Sequence, residues 1–182
     1  MQVLLDREAV SRGLRRVAGE IVERHRGVDN LLLVGIRRGG VHVAEQLKRW
    51  LNELEGDVPM GTVDISLYRD DAATALPNPR IGPSNIPGSV NGVSIVVVDD
   101  VLYTGRTIRA ALDALMDYGR PARVELAVLV DREGRELPIQ ADYVVKTLEV
   151  PPDQRVDVIS KREGLEVVMQ PNSAPTVPPE AP

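Results

Sequence analysis

Two carboxylates, Asp99 and Asp100, stand side by side at the end of the apolar run Ser94–Val98, and Thr104-Gly105-Arg106-Thr107 follows closely. The two groups ask for opposite ligands. Carboxylates suit sugar hydroxyls or a hard cation such as Mg2+. A Thr-Gly-x-Thr turn that opens a helix presents backbone N–H groups and the positive end of the helix dipole, which suits a phosphate. In open parallel sheets, ligands gather beyond the carboxyl ends of the strands, which is where an apolar run ending in Asp-Asp places these side chains. A bare Asp-Asp pair would read as a solvated strand end. The full sequence of apolar run, two acids and Thr-Gly-Arg-Thr reads as a site for a ligand that carries both a ribose and a phosphate. No G-x-x-x-x-G-K-[ST] and no G-x-G-x-x-G is present, so the common nucleotide loops are excluded.

The elements that would hold this site follow from periodicity. Asp6 caps a helix to about His25, with Val10, Leu14, Val17 and Ile21 on its buried stripe. Residues 30–36 are a buried strand, and Val41–Leu54 is a helix with Val43, Ala44, Leu47, Trp50 and Leu51 inward. Alternation at Val63, Ile65 and Leu67 predicts a strand, and residues 93–98 another, followed by a helix over about 106–118. Arg123–Asp131 is a further buried strand and Asp142–Lys146 a short one. "RVDVIS" and "LEVVM" predict a terminal hairpin. Between 70 and 92 lie four prolines and three glycines, a loop whose length suggests a functional flap. Strands alternate with helices, so the class is α/β with a mostly parallel central sheet. Residues 1–170 are expected to form one domain and residues 171–182 a disordered Pro-rich tail, given five prolines in Gln170–Pro182.

Composition bounds the function. The chain has 182 residues, 43% of them hydrophobic and 3% aromatic, without Phe or Cys. The core is therefore built of Val, Leu, Ile and Ala, and thiolate chemistry is excluded. The absence of cysteine and of a secretory or membrane-spanning pattern leads us to expect a cytoplasmic protein without membrane contact. The net charge of −5 requires any nucleic-acid contact to use a local basic patch.

The residues Val96–Ile108, "VVVDDVLYTGRTI", resemble the phosphoribosyl pyrophosphate (PRPP) motif of the type I phosphoribosyltransferases. "LYRDD" (67–71), "DALMDYGRP" (113–121) and "LAVLVDREGRELPIQADYVVK" (126–146) narrow the resemblance to the branch that joins uracil phosphoribosyl transfer to regulation of pyrimidine operons. It covers about residues 4–147. It implies the type I fold with a long flap loop, Mg2+ bound with PRPP rather than by a dedicated metal cage, and the reaction uracil + PRPP to UMP + pyrophosphate. The PRPP-binding segment would be Val96, Val97, Val98, Asp99, Asp100, Val101, Leu102, Tyr103, Thr104, Gly105, Arg106, Thr107 and Ile108. Within it, the catalytic acids Asp99 and Asp100 hold the ribose, Val101 to Tyr103 shape the turn, and Thr104 to Thr107 cradle the 5′-phosphate. Arg37, Arg38, Gly39 and Arg69 would meet pyrophosphate. "GIRRGG" (35–40) occupies the place of a loop that in this fold often holds a strained peptide, although members of the branch commonly read Thr-Arg-Gly where this chain has Arg38-Gly39-Gly40. Val130, Asp131 and Arg132 would lie against the base, mainly through backbone groups.

The resemblance also implies a uridine-nucleotide-responsive attenuator, sensing UMP or UTP, that binds a hairpin in pyrimidine operon leader RNA. Arg12, Arg15 and Arg16, with Arg132, Arg135 and Lys146, offer the basic face; Arg15, Arg135 and Lys146 are its main candidates. Gly19 and Gln140 stand where the branch often has His and Arg. An alternative is a phosphoribosyltransferase without an RNA role, acting on another base. His25 and His42 read as surface or helix residues, Trp50 as core or subunit interface, and the chain as a homodimer or higher homo-oligomer.

Overall fold

The computed structural model describes residues 1–70 and 84–172. Its elements are β1 (Gln2–Leu5), α1 (Arg7–His25), β2 (Leu31–Ile36), α2 (Gly39–Leu54), β3 (Met60–Val63), β4 (Ser94–Leu102), α3 (Arg106–Met116), β5 (Arg123–Arg132), β6 (Tyr143–Leu148), β7 (Gln154–Lys161) and β8 (Gly164–Pro171). Asp6 caps α1: its Oδ1 accepts from Ala9 N at 2.8 Å, satisfying one of the amides a helix start leaves without a partner.

Among the described residues, β3-β2-β4-β5-β6 form a parallel sheet in that order. Helices cover both of its faces, which is why β2 and the first half of β4 are apolar without alternation. On one face α1 and α2 pack over Leu31, Leu33, Val96, Val98 and Leu129. On the other, α3 packs over Leu32, Val34, Ile95, Val97 and Val128. Gly13 brings α1 onto β6, since a Cβ there would strike the Val145 side chain.

A second, antiparallel sheet, β1-β8-β7, carries Val156, Leu165 and Val167 into the first core. The terminal hairpin expected from "RVDVIS" and "LEVVM" is β7–β8, with Val158 opposite Val167. β1 was not legible as a strand. Its four residues are too short to set a period, and β8 alone makes them one.

Several boundaries differ from the sequence reading: α2 starts at Gly39, α3 ends at Met116 and β6 runs on to Leu148. The strand expected to run through Ile65 and Leu67 stops at Val63: Asp64 Oδ1 accepts from Ser66 N at 2.9 Å and from Ser66 Oγ at 2.6 Å, a side-chain turn that ends extended pairing. Leu67 is then 60% exposed rather than inward. β4 continues past the acids to Leu102, because β5 pairs with it as far as Leu102–Asp131. At the C-terminus, β8 reaches Pro171, and Asn172 donates its N–H to Asp153 O at 2.9 Å. The last strand therefore runs past residue 170. The rest of the expected tail, 173–182, and the flap segment 71–83 lie outside the described residues. The two ends of that segment's frame meet at Thr62 and Asn85, which exchange backbone hydrogen bonds of 2.8 and 2.9 Å.

The amino-end side of the sheet holds a buried acid. Glu125 accepts from His25 Nε2 and from Tyr143 Oη, each at 2.7 Å, and Arg123 Nε lies 3.0 Å from its other oxygen. Burial alone would raise its pKa, but the hydrogen bonds from His25 and Tyr143 and the charges of His25 and Arg24 hold it below the ordinary value of 4.5. Burial, with the same contact, pushes the Tyr143 hydroxyl up to about 12. A depressed carboxylate stabilises the fold above its unfolded pKa and loses that contribution as pH falls through the folded one. Glu125→Gln is expected to lower the Tm by several degrees at pH 7 and to flatten the acid limb of the Tm–pH curve below about pH 4.5. Thermal melts from pH 7 to 3 check this, and parallel acid limbs for the two proteins would refute it.

Candidate active site

The site forms where β2, β3 and β4 end. After Ile36 the chain turns through a cis Arg37–Arg38 peptide directly into α2. Arg37 N donates to Val63 O at 2.9 Å, fixing the turn to β3. The first turn of α2 then lies on β4 with no room for side chains. A Cβ on Gly40 would run into Val98 O and lie 3.0 Å from Asp99 Cα, and one on Gly39 would land on the Asp100 carboxylate. Gly40 is there because backbone touches backbone, and Gly39 because the Asp100 carboxylate occupies the place of its side chain.

Asp99 is only 5% exposed, and its Oδ1 accepts from Asp100 N at 2.9 Å. Burial first, and the neighbouring Asp100 charge second, push its carboxyl well above the usual aspartate range. Asp100 is half-buried, and its Oδ1 accepts from Val101 N at 2.8 Å. Both acids line a cavity of about 620 Å³ together with Arg37, Arg38, Asp64 and Arg69. Cations and acids thus face each other across it. Asp64 was missed in the sequence, although its place at the carboxyl end of β3 was a usable signal.

Next to this cavity, a pocket of about 300 Å³ lies among Arg69, Asp70, Thr104, Arg106 and Thr107. Gly105, at φ 91°, is the N-cap of α3, a left-handed conformation that favours glycine. Thr104 Oγ1 accepts from Arg106 N at 3.3 Å. The Arg106 side chain donates to Asp70 at 2.5 Å and to Glu136 at 2.8 Å.

The remaining expected residues divide. Val96, Val97, Val98 and Ile108 are buried in the two cores, so their side chains support the PRPP-type segment without reaching the cavity. Leu102 is buried as well, Val101 lines the cavity, and the turn itself is Tyr103–Gly105. Val130 is buried and has only backbone to offer a base. Arg132 is 6% exposed. Its guanidinium stacks 4.0 Å from the Tyr103 ring centre, and its Nε has no hydrogen-bond partner among the described residues. Asp131 accepts from Arg135 at 2.7 Å.

The basic face is largely tied down. Arg16 donates to Val144 O and Val145 O at 3.1 and 2.9 Å, Arg12 to Glu8 at 3.4 Å, and Arg135 turns inward. Arg15 lies 5.3 Å from the centre of the Trp50 ring, which is half-buried rather than core. Lys146 and Gln140 are exposed, and a Cβ at Gly19 would meet open space. His42 pairs with Glu45 at 3.5 Å, and His25 is the partner of Glu125 described above. No group of three or more His, Cys, Asp or Glu suited to a metal ion occurs among the described residues.

The model of the phosphoribosyl transferase domain family matches residues 2–165. The bifunctional protein PyrR of Listeria monocytogenes serotype 4a is 52% identical over 160 residues, covering 86% of this chain and 87% of that protein. PyrR of Geobacter sulfurreducens is 53% identical over 158 residues, covering 86% and 89%. Among solved structures, the Trypanosoma cruzi hypoxanthine phosphoribosyltransferase in complex with IMP shares the fold with a TM-score of 0.69 at 23% identity, covering 92% of this chain and 90% of that one.

The glycine contacts separate two otherwise similar substitutions. Gly40→Ala meets backbone atoms that no rotamer change can move, and is expected to destabilise the fold by about 1–3 kcal/mol. Gly19→Ala, inside α1 with open space around it, should stabilise by about 0.5–1 kcal/mol. Urea denaturation of both variants measures this, and equal midpoints would refute the close packing of α2 on β4.

Proposed function

Because this chain belongs to the phosphoribosyl transferase family, and within it to the bifunctional PyrR proteins, we propose that it converts uracil and PRPP to UMP and pyrophosphate and that the same site senses uridine nucleotides for binding to pyrimidine operon leader RNA. The observation that carries the enzymatic half is the polarity of the cavity. Asp99 and Asp100 form one wall, Arg37, Arg38 and Arg69 line the same space, and the pocket at Thr104–Thr107 adjoins it. PRPP has that order of groups: pyrophosphate, ribose diol, 5′-phosphate.

In the reaction, the uracil N1–C1′ bond replaces the C1′–O bond to pyrophosphate, which leaves with its electron pair, and the N1 proton passes to pyrophosphate or solvent. Arg37, Arg38 and Arg69 oppose the charge of the leaving group. Asp100 accepts from the ribose hydroxyls and, with Asp99, faces the positive charge that grows on the sugar. Burial and the Asp100 charge raise the proton affinity of Asp99, which leaves Asp100 as the more exposed of the two acids. The backbone of Thr104–Thr107 anchors the 5′-phosphate, and the stacked Tyr103–Arg132 pair borders the base. The half-buried Asp100 carboxylate on the cavity wall would offer a hard oxygen to Mg2+ carried on PRPP. When bound, Mg2+ neutralises pyrophosphate.

Purified protein with Mg2+ and PRPP is expected to turn over uracil in preference to hypoxanthine and guanine. Asp100→Asn should lower kcat/KM by roughly a hundredfold or more while leaving the Tm within a few degrees. Wild-type kinetics in that variant would remove the acids from the mechanism, and preference for a purine would replace uracil as substrate.

The regulatory half is supported by family membership and by Arg15 and Lys146 on the exterior. Leader RNA is expected to bind more tightly with UMP present, with an affinity that falls steeply as salt rises. Titration across a salt series, against a scrambled RNA, tests it. No preference for the leader RNA, with uracil transfer intact, would leave an enzyme alone.

A further inference from the structure

We infer that Arg135 is a positioning residue of the phosphate loop, holding the Tyr103 carbonyl outward so that the next amide faces the 5′-phosphate; the inference rests on the phosphoribosyl reading of that pocket. The chain between β5 and β6 folds back over residues 103–105 and touches them at successive points. Arg135 donates through one guanidinium nitrogen to Tyr103 O at 2.5 Å and through the other to Asp131 Oδ1 at 2.7 Å. Glu136 N and Leu137 N both donate to Thr104 O, at 3.0 and 3.2 Å. Gly134 lies flat against the Tyr103 ring, and the Cβ position of Gly105 is walled by Ile139 at 3.3 Å and by Arg135 and Leu137, each at 3.5 Å.

The consequence follows from peptide geometry. In a planar trans peptide the C=O and the following N–H point in opposite directions. Drawing the carbonyls of Tyr103 and Thr104 toward the 133–139 segment therefore turns the amides of Thr104 and Gly105 the other way. Thr104 lines the pocket with Arg106 and Thr107, and in this reading the two amides face it. A loop with glycine at its N-cap has no intrinsic preference for this orientation. The 133–139 segment imposes it.

Arg135 is suited to the task. It is the one side chain of that segment that bridges the phosphate loop to β5, and its planar fork reaches a carbonyl and a carboxylate at once, which a lysine ammonium matches poorly. Asp131 neutralises its charge, and the side chain is 26% exposed. Where the sequence suggested an RNA contact, the structure gives Arg135 hydrogen bonds to the loop and to β5.

The test compares UMP with uridine, which differ only in the phosphate. By calorimetric titration, Arg135→Gln is expected to weaken UMP roughly tenfold, the worth of one charge-assisted hydrogen bond, and to leave uridine unchanged. KM for PRPP should rise by a similar factor while KM for uracil stays near wild type. Unchanged uridine binding also certifies the fold of the variant, and Arg135→Lys, which keeps the charge and one donor, should recover part of the loss. If Arg135 is instead an RNA contact, Arg135→Gln will keep wild-type discrimination of UMP from uridine and reduce the salt slope of RNA binding by about one; that result overturns the inference alone. A wild-type protein that binds UMP no better than uridine overturns both the inference and the reading of the pocket.

Discussion

The backbone of Gly39 and Gly40 lies against the end of β4, and most of the site depends on that contact. It brings the turn after β2 to the strand that carries the acids, so that arginines from one strand end share a cavity with aspartates from the next. It also removes water from Asp99. With the helix start on one side and β5 on the other, that carboxyl has little to solvate it except the Asp100 amide, and its proton affinity rises accordingly. Side chains at 39 and 40 would separate the two walls.

The phosphate side is organised differently. There the acids and bases of the 133–139 segment work on the outside of the loop while the ligand pocket lies inside. Arg106, the one charged residue of Thr-Gly-Arg-Thr, is paired with Asp70 and Glu136, so in the proposed reading the pocket holds phosphate chiefly through amides and hydroxyls. Preorganised dipoles of this kind need no rearrangement when the ligand arrives.

The same economy bears on regulation. Several of the arginines that a sequence reading assigns to a nucleic-acid face are committed within the protein: Arg16 to β6, Arg12 to Glu8, Arg135 to Tyr103 and Asp131. Exposed pairs such as Arg12–Glu8 cost little to exchange for a phosphate. A guanidinium that bridges a backbone carbonyl and a buried-side carboxylate is not exchanged so easily. Arg15 and Lys146 therefore carry more of any RNA contact than a count of basic residues suggests.

The sequence by itself determined the class and most of the elements. Amphipathic spacing placed α1 to within a residue, unbroken apolar runs marked β2 and β5 as strands covered on both faces, and the pairing of two acids with Thr-Gly-Arg-Thr pointed to the strand end where the two cavities lie. These are local properties, written in patterns of two to four residues. Tertiary structure decided what each polar side chain meets. That β4 extends through Asp99 and Asp100 depends on β5 beside it, that Gln2–Leu5 is a strand depends on β8, and that Asp64 faces the cavity depends on a turn closed by Ser66. His25 looked like an ordinary helix residue until Glu125, a hundred residues away, supplied its partner. Arg135 looked like a surface cation until the fold brought Tyr103 under it. A residue type states what a side chain can bind, but its partner is chosen by chain segments distant in sequence, and only packing brings those together.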